Sequence, residues 1–453
     1  MRFTFAMMWI IGLGVPAGAQ QPAPPPPQAT VAPAVTPSPE LRARSAELAN
    51  ILSDKGDYER YFAPGFRAQV AKATFDQINA QLLAANGPLI GIQQLDAKTA
   101  WSGNVIVNYR DVVATIAIVV DPAAPHQVTG LRILGTSARE TSLDAVVKTI
   151  AGLRGQTGFV VAKLGGTAPR IQTQHHADTP LAIGSAFKLV ILAELVRATN
   201  AGERRWDDLI TLNGQALPGG GYTQKPAGTK VTLRELATQM IAVSDNSATD
   251  ILLKVIGRAK IEAMMSVVGI KNPARNRPFL GTAELFKLKG IDKGALASRY
   301  LALDEAGRRA LLDGEIAAAP LTAIDPLLFK DGKPVRIDQL EWFMSANDLV
   351  RILDWLRRNT DGPKGGDARA ILSKNAGIPP QIARKWGYVG YKGGSEPGVI
   401  AMALLLQAKN GDWYVAAGSW NDVAQDVDQG RFAGLISKAA DLAAPTATTS
   451  AGN

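Results

Sequence analysis

The chain has 453 residues, 46% of them hydrophobic and 20% charged, a balance that supports buried cores and two or three domains. It has no cysteine, which excludes disulfides, a thiol nucleophile and metal sites built on thiolates. The formal charge is +9, but Lys and Arg are scattered without a nucleic-acid motif, so the charge points to anionic polymers or membrane surfaces and no nucleic-acid partner is expected.

Arg2 precedes an apolar run, Phe3 to Val15, that is short for a bilayer span. Ala17-Gly18-Ala19 then supplies a small-residue cleavage site before Gln20. Residues 1–19 are expected to be a secretory signal peptide, with a short membrane anchor as the alternative. The mature protein is then periplasmic or secreted, with no stable membrane insertion. Residues 20–39 are rich in Pro, Ala, Gln and Thr and read as an extended linker that builds no core. Residues 446–453 read as a disordered tail.

A small α+β domain is expected over 40–138. Leu41, Leu48, Ile51 and Leu52 recur at helical spacing, and Phe75, Ile78 and Leu82 do so again. Strand character follows in Val105-Ile106-Val107, Val112 to Val120 and Val128 to Leu134. Helices followed by a strand meander resemble the cone-shaped domains related to nuclear transport factor 2 and ketosteroid isomerase. A packing or spacer role without catalysis is the expectation for it.

A larger domain is expected over 140–445. Phe159 to Leu164, Gly165-Gly166 and Arg170 to Thr173 predict a hairpin. Helices are expected from Ser185 to about Ser373, with a capping box at Thr232–Glu235 opening one of them. Val399 to Ala408, Asn410-Gly411 and Trp413 to Trp420 predict a second hairpin, and about 429–442 a final helix. Strands at both ends with helices between imply one sheet closed from both termini.

Three short runs carry chemistry. In Ser185-Ala186-Phe187-Lys188 a spacing of three puts serine and lysine on one face of a helix start. The run that follows, Leu189 to Ala193, is apolar all round and therefore buried. Burial and the positive helix end both disfavour a charged lysine, leaving a neutral amine to take the serine proton. A capping serine beside a surface lysine would show the same letters. Ser244-Asp245-Asn246 offers a hydroxyl to relay a proton and an amide to hold a carbonyl, or a helix–helix corner built of capping residues. Lys392-Gly393-Gly394-Ser395 precedes the late hairpin, where glycines let a substrate approach the backbone. A rival triplet, Lys364-Gly365-Gly366, reads as a linker turn.

In this order the three runs resemble class A β-lactamases and penicillin-binding proteins, with Ser244 placed 59 residues after Ser185. The resemblance implies an antiparallel sheet plus a helical lobe, no cofactor and no metal. It implies Ser185 as the acylated nucleophile, Lys188 as its base, and Ser244 and Asn246 as proton relay and amide ligand. It also implies Lys392 as the cationic strand residue, Gly394 and Ser395 as substrate-binding, and an oxyanion hole from the N–H groups of Ser185 and Ser395. The small first domain, with Tyr391 before the lysine, is similar to the group of the β-lactamase-like protein of clavulanic acid biosynthesis, which is associated with weak esterase-type activity.

The departures are equally specific. The family has a hydroxyl residue where Gly393 stands, and an inserted segment falls within about 275–340. No E-x-x-L-N run follows Asn246 to supply the base for deacylation. Glu284 and Glu341 are the candidates for that base. Only His126, His175 and His176 exist, in no metal-binding or triad pattern. Three functions remain: a β-lactam hydrolase; an esterase or peptidoglycan peptidase on the same serine; and a cell-wall or β-lactam binding protein without turnover.

Overall fold

Ser38 accepts a hydrogen bond from Leu41 N at 3.0 Å, and Pro39 sits at the first helical position, so α1 (Pro39–Leu52) starts where both signals coincide. It buries Leu41, Leu48, Ile51 and Leu52. Two short helices follow, α2 (Tyr58–Tyr61) and α3 (Pro64–Gln69), and then α4 (Lys72–Asn86). The stripe expected on α4 reaches the core only in part. Phe75 reaches it, meeting the rings of Tyr58 and Phe62 at 5.5 and 5.4 Å, but Ile78 is 44% exposed. The buried residue of α4 is Asn79, whose Nδ2 donates to Leu52 O at 2.6 Å. A polar bond to the end of α1 thus fixes the helix where apolar spacing predicts packing.

The computed structural model describes residues 35–166, 168–362 and 365–445. The expected signal peptide at 1–19, residues 20–34 of the expected linker, the tail at 446–453 and Lys364 of the rival triplet lie outside the described residues. Gly366 of that triplet opens a helix, Gly366–Leu372.

The first domain is completed by β1 (Leu89–Ala97), β2 (Ser102–Tyr109), β3 (Val112–Val120) and β4 (Val128–Ala138), an antiparallel sheet in chain order. Val105, Val107 and Tyr109 alternate inward, as do Ala114, Ile116, Ile118 and Val120, onto the helices.

After α5 (Leu143–Ala151) the second domain runs β5 (Gln156–Leu164) and β6 (Arg170–His175), the predicted hairpin. A short strand, β7 (Leu181–Ala182), leads into a 3₁₀ turn at Gly184–Phe187 and α6 (Lys188–Asn200), which is apolar and buried almost throughout. The helical lobe holds β8 (Leu209–Thr211) and β9 (Lys230–Thr232), a ribbon too short to show a period in sequence. It continues with α7 (Leu233–Ala242), α8 (Asn246–Ile256), α9 (Arg258–Val267) and α10 (Thr282–Gly290). The box at the start of α7 is half closed. Thr232 Oγ1 accepts from Glu235 N, but the Glu235 carboxylate accepts from the Tyr222 hydroxyl instead of from the cap.

The insertion forms helices Ala295–Ala302 and Glu305–Leu311 and a π-helical turn, Leu312–Ile316; the first sends Leu296 and Tyr300, and the turn Leu312 and Ile316, into the lobe's core. The chain then pairs β10 (Phe343–Met344) with β7 and returns through β11 (Trp386–Glu396), β12 (Val399–Ala408) and β13 (Trp413–Asn421). The sheet order is β11-β12-β13-β5-β6, so β11 is an edge. One face carries α5 and the final helix, Gln429–Ala443; the other carries the helical lobe. Ser185 therefore starts its helix against the edge strand that holds Lys392.

Candidate active site

The turn at Gly184–Phe187 presses against β11. Gly184 has φ +46, and a Cβ there would lie 2.9 Å from Ser395 N. A Cβ on Gly394 would collide with Ser185 N and Ile183 O, so glycine is required for this approach. The consequence is proximity: the backbones of Ser185 and Ser395 lie close together, and both residues line one cavity.

Lys188 is fully buried one step into α6. Its Nζ donates to Ser244 O at 2.7 Å and to Asn246 Oδ1 at 2.8 Å, and it lies 3.2 Å from Ser244 Oγ. Lys392 Nζ reaches the same hydroxyl from the strand, 3.0 Å away, and donates to Gly393 O at 2.6 Å. The three oxygens around Lys188 match the three N–H groups of an ammonium, and the Ser244 hydroxyl oxygen has two lone pairs, one for each lysine. Burial pushes the Lys188 amine down to about 7, against partial opposition from Asp250 and Asp245. Burial and then the neighbouring Lys188 push Lys392 well below the ordinary lysine value.

Ser244 reaches this position because the corner between α7 and α8 is forced. Its φ is +60, which is strained for a residue with a side chain. Asp245 holds the corner: its carboxylate accepts from Gly221 N, Ser247 Oγ and Ala248 N at 2.6, 2.6 and 2.8 Å. Asp245 is thus the cap of the corner, as the capping reading expects, and its neighbours Ser244 and Asn246 line the cavity.

The cavity is about 640 Å³, and Ser185, Ser244, Asn246, Tyr391, Lys392, Gly394 and Ser395 line it. Glu284 and Glu341 do not. Glu284 is tied to Arg258 at 2.6 Å and accepts from Gly281 N at 2.7 Å, capping α10. Glu341 is fully buried against Lys289 Nζ at 2.8 Å, and the same amine holds Glu396 at 2.5 Å. Each is instead paired with a cation from another helix, and neither lines the cavity that holds Ser185. Sequence reasoning also missed Asn375 and Gly377, which border the cavity. Asn375 Oδ1 accepts from Gly377 N at 3.0 Å, and Gly377 lies on the Tyr391 ring. Their only signal is the turn composition around Gly377-Ile378-Pro379.

A curated beta-lactamase of Rhodobacter capsulatus is 27% identical over 143 residues, which is 31% of this chain and 49% of that protein; the match spans about half of the relative's length. Among solved structures, a beta-lactamase from Sphaerobacter thermophilus covers 66% of this chain and 95% of its own, at 20% identity and a TM-score of 0.45. A mutant of PBP-A, solved as an acyl-enzyme complex with penicillin G, covers 66% of this chain and 93% of its own, at 15% identity and a TM-score of 0.44. The Beta-lactamase enzyme family matches residues 139–443, more than half of the chain, and the protein belongs to that family.

Proposed function

We propose that the protein is a serine hydrolase that acts through an acyl-enzyme on Ser185, with β-lactams or related esters and amides as substrates. The observation that carries this reading is the buried chain Lys188–Ser244–Lys392 beside Ser185, in which one amine is held near neutrality and one hydroxyl joins both lysines. Lys188 turns its lone pair to Ser185 and takes the hydroxyl proton while Oγ bonds the acyl carbon. The oxyanion settles on Ser185 N–H and Ser395 N–H. As the C–N or C–O bond breaks, Ser244 gives its proton to the leaving atom and is reprotonated from Lys188. Asn246 faces the acyl side chain.

Deacylation is the slow step in this proposal. Among the described lining residues no carboxylate is present to deprotonate a water. β-Lactams should give one fast equivalent of product and then slow turnover, and small esters should turn over better because water enters beside a small acyl group. The test combines a chromogenic cephalosporin, a simple aryl ester and a time course of intact masses, with Ser185→Ala as control. An adduct on the wild type, absent in the variant, supports the reading. An adduct retained by Ser185→Ala, or penicillin destruction without any detectable adduct, overturns the nucleophile or the slow step respectively.

We also propose export, on Arg2, the run Phe3 to Val15 and the Ala17-Gly18-Ala19 site. Recovery of a chain beginning at Gln20 outside the cytoplasm supports it; retention of residues 1–19 in the folded protein overturns it.

A further inference from the structure

The final helix, Gln429–Ala443, stands between two cavities. Gln429, Gly430 and Ala433 border the one that holds Ser185. Asp428, Gly430, Arg431 and Leu435 border a second, of about 290 Å³, whose other walls include the end of α4, the turn between β2 and β3 and the end of β4 in the first domain. Helical spacing explains the division. Gln429 and Ala433 lie four apart on one face, Arg431 and Leu435 four apart on another. Gly430 belongs to both cavities, so a single helical turn separates the catalytic cavity from the first domain.

That turn is held from both sides. Within its own domain, Asp428 Oδ1 accepts from Arg431 N at 2.8 Å, and Phe432 is fully buried. Gly430 adds no side chain to this, and a Cβ there would meet only Asp428 Oδ1, at 3.5 Å. Toward the first domain the tie is one of charge: Arg431 Nη2 lies 3.8 Å from Asp111 Oδ1. The Asp111 side chain is only 12% exposed, and its own domain fixes it. Its N–H donates to Asn86 O at 3.1 Å, and Arg110 Nη2 donates to its carboxylate at 2.7 Å. Arg110 first holds that carboxyl below the ordinary value, burial opposes it, and Arg431 adds to the lowering. The first domain thus presents a fixed carboxylate to the side of the helix that faces away from Ser185. An open cavity lies where close packing would otherwise clamp the helix start, and the charge pair joins its two walls.

We infer that Asp111 and Arg431 are positioning residues for the catalytic cavity: through this pair the first domain holds the helix start that walls the cavity, and so sets which acyl donors bind well. The inference rests on acylation at Ser185 and adds a specificity to it. Large acyl donors that reach Gln429 and Ala433 depend on the first domain, and small ones do not.

The experiment compares the full-length protein with Asp111→Asn, Arg431→Gln and the double variant. A chromogenic cephalosporin and a simple aryl acetate are the probes, and rapid-quench mass analysis gives the limiting rate and the half-saturating concentration of Ser185 acylation. Each single variant should raise the half-saturating concentration of the cephalosporin about three- to fivefold, as for a partly exposed ion pair. Its limiting rate, and both constants for the aryl acetate, should stay within about twofold of wild type. The double variant should be no worse than either single, because each already removes the same pair. Arg431→Lys keeps the charge and should stay near wild type. Unchanged values in both singles, an equal change for the two probes, additive losses in the double variant, or a loss in Arg431→Lys as large as in Arg431→Gln each overturn the inference and leave the serine hydrolase intact. If neither probe labels Ser185 in the wild type, the hydrolase reading itself fails and the inference falls with it.

Discussion

Two points along β11, Lys392 inside the strand and Glu396 at its last residue, meet buried lysines of opposite character. Toward the middle of the strand, Lys188 and Lys392 meet around Ser244 without a carboxylate in contact. At the strand's last residue, Lys289 sits between Glu341 and Glu396 with no exposed surface. Burial acts on all three amines in the same direction. It wins at Lys188 and Lys392, which fall, and loses at Lys289, where it is outweighed by Glu341 and Glu396 and the amine ends above its ordinary value. In the same cluster burial, then Glu341, raises the Glu396 carboxyl well above the usual range against the pull of Lys289. The partner, and not the depth, decides whether a buried lysine is a poised base or a structural tie.

The largest expected effect breaks this comparison from the chemical side. Lys188→Met should lower Ser185 acylation by about a thousandfold or more, because the serine loses its proton acceptor. Two acceptors, Ser244 O and Asn246 Oδ1, also lose a donor, so stability should fall by about 1–3 kcal/mol. Acylation within tenfold of wild type would show that another group takes the proton. Kinetic labelling and a denaturant melt on the same preparation separate the two losses.

Lys289→Met should do the reverse. It leaves Glu341 and Glu396 facing each other in a dry site, and breaking a buried pair from one side costs about 3–5 kcal/mol. The folded fraction should still acylate, since none of the three lines the cavity. Glu396→Gln should be far milder, because Glu341 remains as a counter-charge to Lys289 and the amide keeps an acceptor for its amine. Equal loss of stability from both variants would mean that the cluster is a plain ion triad.

How much of this was legible in sequence divides along the same line. The spacing within each run brings Ser185, Ser244, Asn246 and Lys392 to one cavity, with Lys188 buried behind Ser244 and Asn246, because one helix turn, one corner and one strand each fix a short-range geometry. The alternation on β12 and β13 and the Asn410-Gly411 turn likewise show the late hairpin. The carboxylates are different. Sequence shows that Glu284 and Glu341 are charged, but their partners, Arg258 and Lys289, come from other helices, 26 and 52 residues away. Tertiary pairing of this kind leaves no local mark. The stripe on α4 fails in part for a related reason: Asn79, held by a carbonyl of α1, sets the helix's face.

A smaller effect sharpens the chemical side. Acylation needs Lys188 neutral, and its amine lies near 7. The rate should therefore fall as pH drops below about 7, by roughly tenfold per unit, and level off above it. Lys392 shares Ser244 with Lys188 and is depressed by it, so the observed value belongs to the pair. Asp245 and Asp250 are the acidic groups that oppose the shift, and Asp250 itself is raised to about 6, chiefly by burial. A profile of acylation rate that stays flat from pH 5 to 8 would remove the neutral amine from the mechanism.

The smallest expected effect concerns Glu284, one of the two carboxylates that the sequence offers as a water-activating base. Glu284→Gln keeps an acceptor for Gly281 N and a weaker partner for Arg258, so α10 should remain capped. Stability should fall by about 1 kcal/mol or less, as for a pair only partly withdrawn from water. Acylation and deacylation, followed separately by mass analysis, should each stay within about twofold of wild type. Glu341→Gln should also spare deacylation, although Lys289 then depends on Glu396 alone for its counter-charge. The sharp outcome is the opposite one. If either variant traps the acyl-enzyme while acylating normally, then α10 or the segment before β10 moves its carboxylate to the ester after acylation. The ion pairs with Arg258 and Lys289 would then be the resting state of a base and not, as their geometry indicates, its permanent occupation.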